Sequence, residues 1–154
     1  MADYYADSSV LVKRHVNEAG SGWFRALADP ATGNVIITSR VSIIEVYSAF
    51  NRRVREASLS RLAYTQIAAD FASICGVEYQ IIELTIPVAE RARLLLERHA
   101  LRAYDAIQLA SALVTSEALQ AIGLSALTFL AADDRLLNAA QAEGLVTDNP
   151  STHP

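Results

Sequence analysis

Short apolar runs alternate with longer segments whose apolar residues recur at helical spacing along almost the whole chain. A short apolar run is typical of a buried strand, and apolar positions three or four residues apart are typical of a helix with one covered face. The pattern predicts strands at residues 4–6, 35–38, 79–83 and 127–131, with a weaker fifth at 145–147. It predicts helices at residues 8–16, 20–28, 40–57, 60–75, 87–99, 103–118 and 134–143.

Residues at the predicted helix ends support these boundaries. Pro87 suits a first helical turn, Ser60 is a good cap, and Gly76 and Gly144 stand where helices are expected to end. Strands that alternate with helices imply a parallel sheet covered by helices on both faces. Since no linker, repeat or change of composition interrupts the pattern, we predict a single domain over residues 1–148 and a loose tail over 149–154.

Composition narrows the class of protein. Apolar residues make up 52% of the 154 residues and charged residues 19%, as in a globular domain. Cys75 is the only cysteine, so an internal disulfide and a cysteine-based zinc site are excluded. The N-terminal residues have no basic region typical of a signal peptide, and polar residues interrupt the most apolar stretch, 113–132. We therefore expect a cytoplasmic protein without a membrane span.

The net charge of −4 is unusual for a protein that binds nucleic acid. Such proteins usually carry a basic excess, because contacts with phosphates dominate their affinity. Either nucleic acid is not the partner, or the acidic residues are concentrated in one place with basic residues around them. The positions of four acids favour the second alternative.

Two of these acids follow predicted strands. Asp7 comes directly after the first strand, and Asp133 follows the fourth after a short turn. Open parallel sheets bind ligands beyond the carboxyl ends of their strands, so both acids are expected at the ligand-binding edge. Each could instead cap the following helix. Because Asp134 stands beside Asp133, capping alone explains only one of that pair.

The other two acids lie on predicted helices. Glu45 points away from the apolar stripe of its helix, and its neighbours are small or apolar, which favours a cleft wall over an open solvated face. Asp105 is in the first turn of a nearly apolar helix, where the helix dipole alone would favour an acid. A sheltered acid also needs a partner. Both residues are therefore candidates for the same site.

Four clustered carboxylates would repel one another and take up protons unless a cation neutralised them. Mg²⁺ and Mn²⁺ prefer oxygen ligands and keep several waters. Such an ion polarises a phosphate, makes a water more acidic and stabilises charge on the leaving oxygen. The pattern of acids therefore predicts a metal site suited to phosphodiester cleavage.

The same four segments resemble the PIN-domain ribonucleases and, within them, the VapC-like toxins of type II toxin–antitoxin modules. The segments are DSSVLVK from Asp7, SIIEV around Glu45, YDAIQLA around Asp105 and ADDRL around Asp133. They occur in the family's order and at suitable spacing over nearly the whole chain. The combined pattern is specific, although no single segment is.

The resemblance implies a three-layer α/β/α sandwich with a mainly parallel sheet of four or five strands. It implies a Mg²⁺-dependent (or Mn²⁺-dependent) endoribonuclease that cleaves RNA through a metal-activated water. Its products would be a 5′-phosphate and a 3′-hydroxyl. It also implies a homodimer that is neutralised by a small cognate antitoxin. The catalytic and metal-binding residues would be Asp7, Glu45, Asp105 and Asp133.

Further residues are expected around that site. Ser9 matches a hydroxyl position that supports the site in the family, and it could equally be a helix cap; Asp134 occupies a variable position. Candidates for contacts with RNA phosphates are Lys13, Arg14, Arg40, Arg52, Arg53, Arg102 and Arg135. Helical spacing suggests an apolar surface for the antitoxin at Val10, Trp23, Phe24, Phe50 and Tyr64.

Other functions stay open at this point. The chain could be a PIN-like nuclease of RNA processing outside a toxin module, or a catalytically silent module that binds a protein. A missing site acid would have favoured the silent module, but all four are present. A haloacid-dehalogenase-like phosphotransfer site would need a second Asp two residues after Asp7, where Ser9 stands. The chain also lacks a glycine-rich phosphate loop and a helical His pair for zinc.

Overall fold

Strands and helices alternate along the chain, and the computed structural model describes residues 1–154. The strands are β1 (Asp3–Ala6), β2 (Val35–Ser39), β3 (Tyr79–Ile82), β4 (Thr128–Leu130) and β5 (Val146–Asp148). The α-helices are α1 (Ser8–Val12), α2 (Ser21–Leu27), α3 (Arg40–Arg55), α4 (Arg61–Val77), α5 (Ile86–Arg98), α6 (Ala103–Ala121) and α7 (Asp134–Ala142). Short 3₁₀ helices lie at Pro30–Thr32 and Pro150–Thr152. None of these helices combines the length and the apolar character that a membrane span requires.

The five strands form one parallel sheet in the order β3-β2-β1-β4-β5. β1 is central, and its Tyr5 is paired with Ile37 of β2 and with Phe129 of β4. From β1 the chain continues to β2 and β3 on one side of the sheet, and it later returns to β4 and β5 on the other side. A crevice therefore opens beyond the carboxyl end of β1, where the strand order reverses. The predicted parallel sheet is confirmed, and it includes the weakly predicted fifth strand.

The sheet separates two apolar cores. Successive residues of a strand point to opposite faces, so Tyr5 and Ala6 enter different cores. Tyr5 belongs to a cluster of 18 buried residues that includes residues of α5, α6 and α7. Ala6 belongs to a cluster of 12 that includes residues of α1, α2, α3 and α4. The fold is therefore the three-layer α/β/α sandwich that the resemblance implies.

The helix ends agree with the sequence at some points and differ at others. Ser60 caps α4, accepting a 3.0 Å hydrogen bond from the backbone N–H of Ala63. α4 continues past Gly76 to Val77, because one glycine costs a helix only about 1 kcal/mol relative to alanine. α1 ends earlier than predicted, at Val12, and the side chain of Lys13 then reaches across the loop to the carbonyl of Ala19.

The C-terminal residues differ from the predicted loose tail. Pro150 is buried, and the His153 ring stacks on the Trp23 ring with centroids 4.2 Å apart. Gly20 has a φ of +82°, and a Cβ at this position would lie 2.0 Å from the carbonyl oxygen of Pro150. The backbone of the tail thus packs directly on the loop before α2. A short polar sequence does not reveal such a contact, because the aromatic partner lies far away along the chain.

Candidate active site

Asp7 lies directly beyond β1, at the crevice in the sheet. Its backbone N–H donates to the carbonyl of Leu130, which extends the contact with β4 by one residue. Its Oδ1 accepts hydrogen bonds from the hydroxyl of Ser9 (2.5 Å) and from the backbone N–H of Val10 (3.1 Å). The residue is only 5% exposed, and no Lys, Arg or His pairs with it. Asp7 therefore caps α1 and is also a buried carboxylate held only by neutral donors.

Ser9 connects the two loops at the carboxyl ends of β1 and β4. Its hydroxyl donates to Asp7 and accepts a 3.0 Å hydrogen bond from the backbone N–H of Ala132. Ala132 immediately precedes Asp133. Ser9 thus links the position of one predicted site acid to the loop that carries another.

Glu45 lies in the second turn of α3, and its carboxylate is tied to α6. Its Oε1 accepts a 2.7 Å hydrogen bond from Nε2 of Gln108. Gln108 Oε1 accepts from the hydroxyls of Tyr5 (2.8 Å) and Ser42 (2.7 Å). The sequence pattern did not predict Gln108, Tyr5 or Ser42 as part of the site. The available signal was a lone Gln within the apolar part of α6, because a buried amide needs hydrogen-bond partners.

Asp105 and Asp133 begin two other helices at the same edge of the sheet. Asp105 is in the first turn of α6. Asp133 caps α7 by accepting a 2.9 Å hydrogen bond from the backbone N–H of Arg135. Asp134 instead accepts a 3.4 Å hydrogen bond from the side chain of Asn149. Of these two adjacent acids, Asp133 is the one whose charge acts on Asp105.

The four acids influence one another electrostatically. Burial, which outweighs the hydrogen bonds from Ser9 and Val10, and the charges of Glu45 and Asp105 together raise the pKa of Asp7 to about 7. A carboxyl whose pKa lies this high is half protonated near neutral pH. Asp7 therefore lies where negative charge is strongly disfavoured unless a cation is added.

The pKa values of Glu45 and Asp105 are raised in the same way. Burial raises the pKa of Glu45, and the charge of Asp105 adds to the effect, whereas the hydrogen bond from Gln108 lowers it. Burial also raises the pKa of Asp105, and the charge of Asp133 adds to it. A continuous series of like-charge interactions thus connects all four predicted site acids.

The acids are near one another without forming a closed metal cage. No three Asp, Glu, His or Cys side chains of the chain converge tightly enough to hold a metal ion by themselves. This differs from the sequence-based expectation of four converging ligands. The donor set nevertheless fits Mg²⁺ or Mn²⁺, because it consists of oxygen donors around the uncompensated carboxylate of Asp7. Mg²⁺ commonly binds through one or two carboxylates and completes its shell with water and substrate phosphate.

A cleft of about 610 Å³ lies beside the acids. Ser8, Ser9 and Glu45 line it together with Ala132, the neighbour of Asp133. Cationic and aromatic side chains also line it, namely Arg52, Arg53, Arg102 and Tyr104. The acidic centre with basic residues around it matches the charge distribution favoured by the sequence.

The other predicted phosphate contacts already have partners within the fold, and for Arg135 that partner is the site acid Asp133. Lys13 is buried, and its Nζ donates to the carbonyl of Ala19 (2.8 Å) and to Glu18 (3.2 Å), so the prediction that it contacts RNA is wrong. The remaining three form ion pairs, which are Arg14 with Glu78, Arg40 with Glu83 and Arg135 with Asp133.

The apolar surface predicted for an antitoxin is also wrong. Val10, Phe24 and Phe50 are fully buried in the core, where they cannot meet another protein. Trp23 is covered by the ring of His153, and the hydroxyl of Tyr64 accepts from Asn51. Helical spacing identified apolar faces correctly but could not show that other helices cover them. The exposed apolar side chains at the cleft are Ile44 and Tyr104, at 64% and 55% exposure.

Comparison with known proteins identifies the family. The sequence model of the PIN domain family matches residues 4–141 of this chain. Ribonuclease VapC45 of Mycobacterium tuberculosis (strain CDC 1551 / Oshkosh) is 32% identical over 140 residues, which cover 91% of this chain and 90% of that protein. The fold also recurs in solved structures of lower sequence identity.

Two solved structures illustrate the shared fold. VapC20 of Mycobacterium tuberculosis, described as a sarcin-ricin loop cleaving toxin, has a TM-score of 0.60 at 21% identity, covering 93% of this chain and 96% of that chain. A toxin-antitoxin complex from Klebsiella pneumoniae has a TM-score of 0.55 at 19% identity, covering 97% and 98%. Together with the family match over most of its length, this similarity shows that the chain belongs to the PIN-domain family and resembles the VapC proteins within it.

Proposed function

We propose that this protein is a divalent-metal-dependent endoribonuclease and the toxin of a toxin–antitoxin module. The observation that carries the proposal is the buried carboxylate of Asp7, which has no cationic partner and is acted on by the charges of Glu45 and Asp105. A buried acid in such surroundings is costly to the fold and is typical of a functional site. The ribonuclease VapC45, at 32% identity, supports RNA as the substrate.

The residues that would hold the metal are Asp7, Glu45, Asp105 and Asp133. A bound Mg²⁺ or Mn²⁺ would polarise the phosphate, make an attacking water more acidic and stabilise charge on the leaving oxygen. Ser9 and the backbone of Val10 keep the Asp7 carboxylate oriented. Asp134 accepts a hydrogen bond from Asn149, which follows β5, and it would support that segment rather than take part in the reaction.

Glu45 is the acid of the four that lines the cleft. Because its carboxylate lies at the wall of the cleft, it is the acid best placed to take the proton that water loses during attack. Cleavage at the 3′-oxygen side would leave a 5′-phosphate and a 3′-hydroxyl, as the resemblance implies.

RNA would enter along the basic wall of the cleft. Arg52 and Arg102 line the cleft and form no ion pair, which leaves their guanidinium groups available for phosphates flanking the cleaved bond. Tyr104 is 55% exposed in the same wall and offers a face on which a base can stack. Arg53 is partly engaged by Glu18 at 3.3 Å and is the weaker candidate.

A small cognate antitoxin would neutralise the toxin, which would act as a homodimer in the cytoplasm. An acidic site within a cleft suits a basic side chain from such a partner, and exposed Ile44 and Tyr104 offer apolar contact beside it. The Klebsiella pneumoniae toxin-antitoxin complex supports this assignment by its common fold.

The decisive experiment compares RNA cleavage by the wild type and by Asp7→Asn with Mg²⁺, with Mn²⁺ and with a chelator. We expect cleavage only by the wild type with metal, and co-expression with the neighbouring small gene should suppress it. The matched control is Asp29→Asn, because Asp29 is an exposed helix cap outside the site. Cleavage that persists with chelator, or in Asp7→Asn, would overturn the proposal. Cleavage that no neighbouring gene product suppresses would restrict it to a nuclease outside a toxin module.

A further inference from the structure

A buried amide connects the candidate active site to the core. Gln108 lies on α6 and is 1% exposed. It donates from Nε2 to Glu45 and accepts at Oε1 from Tyr5 and Ser42, so both lone pairs of its oxygen are used. A fully buried polar side chain therefore binds one of the site acids directly.

The orientation of this amide follows from its partners. A carboxylate can only accept hydrogen bonds, so the nitrogen of Gln108 faces Glu45 and its oxygen faces the two hydroxyls. Those hydroxyls are themselves held in place. The Tyr5 ring stacks on Phe129 with centroids 5.5 Å apart, and the Ser42 hydroxyl lies 3.0 Å from that of Ser39.

Glu45 needs such a constraint more than Asp7 and Asp133 do. The carboxylates of Asp7 and Asp133 are one bond shorter and are fixed by local hydrogen bonds to the backbone of their own helices. Glu45 lies in the second turn of α3, beyond the free N–H groups of the helix start, and carries a longer, more flexible side chain at the wall of a cleft.

We propose that Gln108 is a positioning residue that fixes the carboxylate of Glu45 at the edge of the cleft, with Tyr5 and Ser42 setting the direction of its amide. This inference rests on the proposed function, because it assigns Gln108 to the metal site formed by Glu45. Residues that orient metal ligands contribute about 10- to 100-fold to metal affinity or activity in other proteins. A merely structural amide would instead contribute to folding stability alone.

The test measures Mn²⁺ affinity by calorimetry for the wild type and for Gln108→Leu, which keeps a similar volume and removes the amide. We expect affinity to fall by about 10-fold or more. In the Glu45→Gln background, the same substitution should cause no further loss, because the group that it positions is already changed. The matched control is Gln141→Leu, which removes an exposed amide bonded to Thr147 and should leave affinity unchanged. Unchanged affinity in Gln108→Leu, or an equal loss in both backgrounds, would overturn the proposal.

A second variant covers the case in which the chain does not fold with leucine at this position. Tyr5→Phe keeps the stacked ring and removes one of the two donors to Gln108. We expect a smaller loss of Mn²⁺ affinity in the same direction, together with a lower kcat for RNA cleavage at unchanged KM. A change in melting temperature alone, without any change in affinity or kcat, would contradict a positioning role.

A measurement without metal separates this proposal from the proposed function. In NMR spectra of the metal-free protein, the side-chain amide protons of Gln108 should give one resolved pair that shifts in Glu45→Ala and not in Asp134→Asn. If the wild type bound no Mn²⁺, the proposed function would fail, whereas this comparison would still decide whether Gln108 holds Glu45. Amide signals that do not respond to Glu45→Ala would overturn the inference even in an active nuclease.

Discussion

The hydroxyl of Ser9 donates a 2.5 Å hydrogen bond to the buried carboxylate of Asp7. The same hydroxyl accepts from the backbone of Ala132, so one small side chain orients Asp7 and joins it to the loop that leads into Asp133. This contact lowers the pKa of Asp7, against the larger effect of burial. Removing it should therefore affect both the stability and the pH dependence of the protein.

We expect Ser9→Ala to destabilise the fold by about 1–3 kcal/mol, because a buried acceptor and a backbone donor each lose a partner. The pKa of Asp7 should rise further, so the acidic limb of the cleavage profile should move to higher pH. Thermal melts and pH–rate curves measure the two effects. Ser9→Thr retains the hydroxyl and is the control; a profile that does not move in Ser9→Ala would contradict the role of this contact.

Asp7→Asn should remove a pH dependence of stability as well as activity. Folding raises the pKa of this carboxyl from 3.8 to about 7, so its ionisation destabilises the folded state. The protonated Asp7 carboxyl stabilises the fold fully at pH values below its unfolded-state pKa. This stabilisation is lost as the pH rises through its folded-state pKa, between about pH 4 and pH 7. Asn caps a helix as well as Asp does, so the variant should fold.

The measurement is the melting temperature of metal-free wild type and Asp7→Asn between pH 4 and pH 8. We expect the wild type to lose a few kcal/mol across this range relative to the variant, since each pKa unit corresponds to about 1.4 kcal/mol. Saturating Mn²⁺ should restore the stability that the wild type loses at high pH and should have no such effect on Asp7→Asn. If the stability of the two proteins changed with pH in the same way, ionisation of Asp7 would not destabilise the fold and the prediction would be wrong.

Asp133→Asn should reduce RNA cleavage much more than Asp134→Asn. The charge of Asp133 acts on Asp105, whereas Asp134 is bonded to Asn149. We expect a loss of at least about 100-fold for the first variant, if it removes about 3 kcal/mol of transition-state stabilisation, and less than threefold for the second. Single-turnover cleavage rates at saturating Mg²⁺ provide the comparison. Equal losses would mean that both acids take part.

Arg52→Ala and Arg102→Ala should weaken RNA binding while leaving the fold intact. Each removes one phosphate contact, so the slope of log affinity against log salt should fall by about 0.7 for a single strand. Arg40→Ala is the matched control, because Arg40 is paired with Glu83 and does not line the cleft. Salt titrations of binding to an uncleavable RNA analogue measure the slopes. An unchanged slope in both variants would exclude the basic wall as the RNA path.

Local patterns in the sequence were sufficient to predict the strands, the parallel sheet, and Asp7 and Asp133 as candidate acids. Each of these features depends on residues close together in the chain. An apolar run predicts a strand, and Ser60 predicts a helix start. Asp7 is a candidate because it follows a strand immediately. The rule that ligands bind beyond the carboxyl ends of parallel strands then placed Asp7 and Asp133 at one edge. Glu45 and Asp105 gave only weak local signals, and the family resemblance assigned them to the site.

Only the tertiary structure decided which side chains meet and which are covered. Tyr5 and Gln108 are 103 residues apart in sequence, and no local pattern predicts their hydrogen bond. Lys13 looks like a free cation in the sequence, yet the loop to Ala19 buries it; Phe50 looks available on a helix face, yet it lies in the core. The physical reason is that periodicity reports which face of an element is apolar, while burial and hydrogen bonding depend on the neighbour that the fold brings against that face.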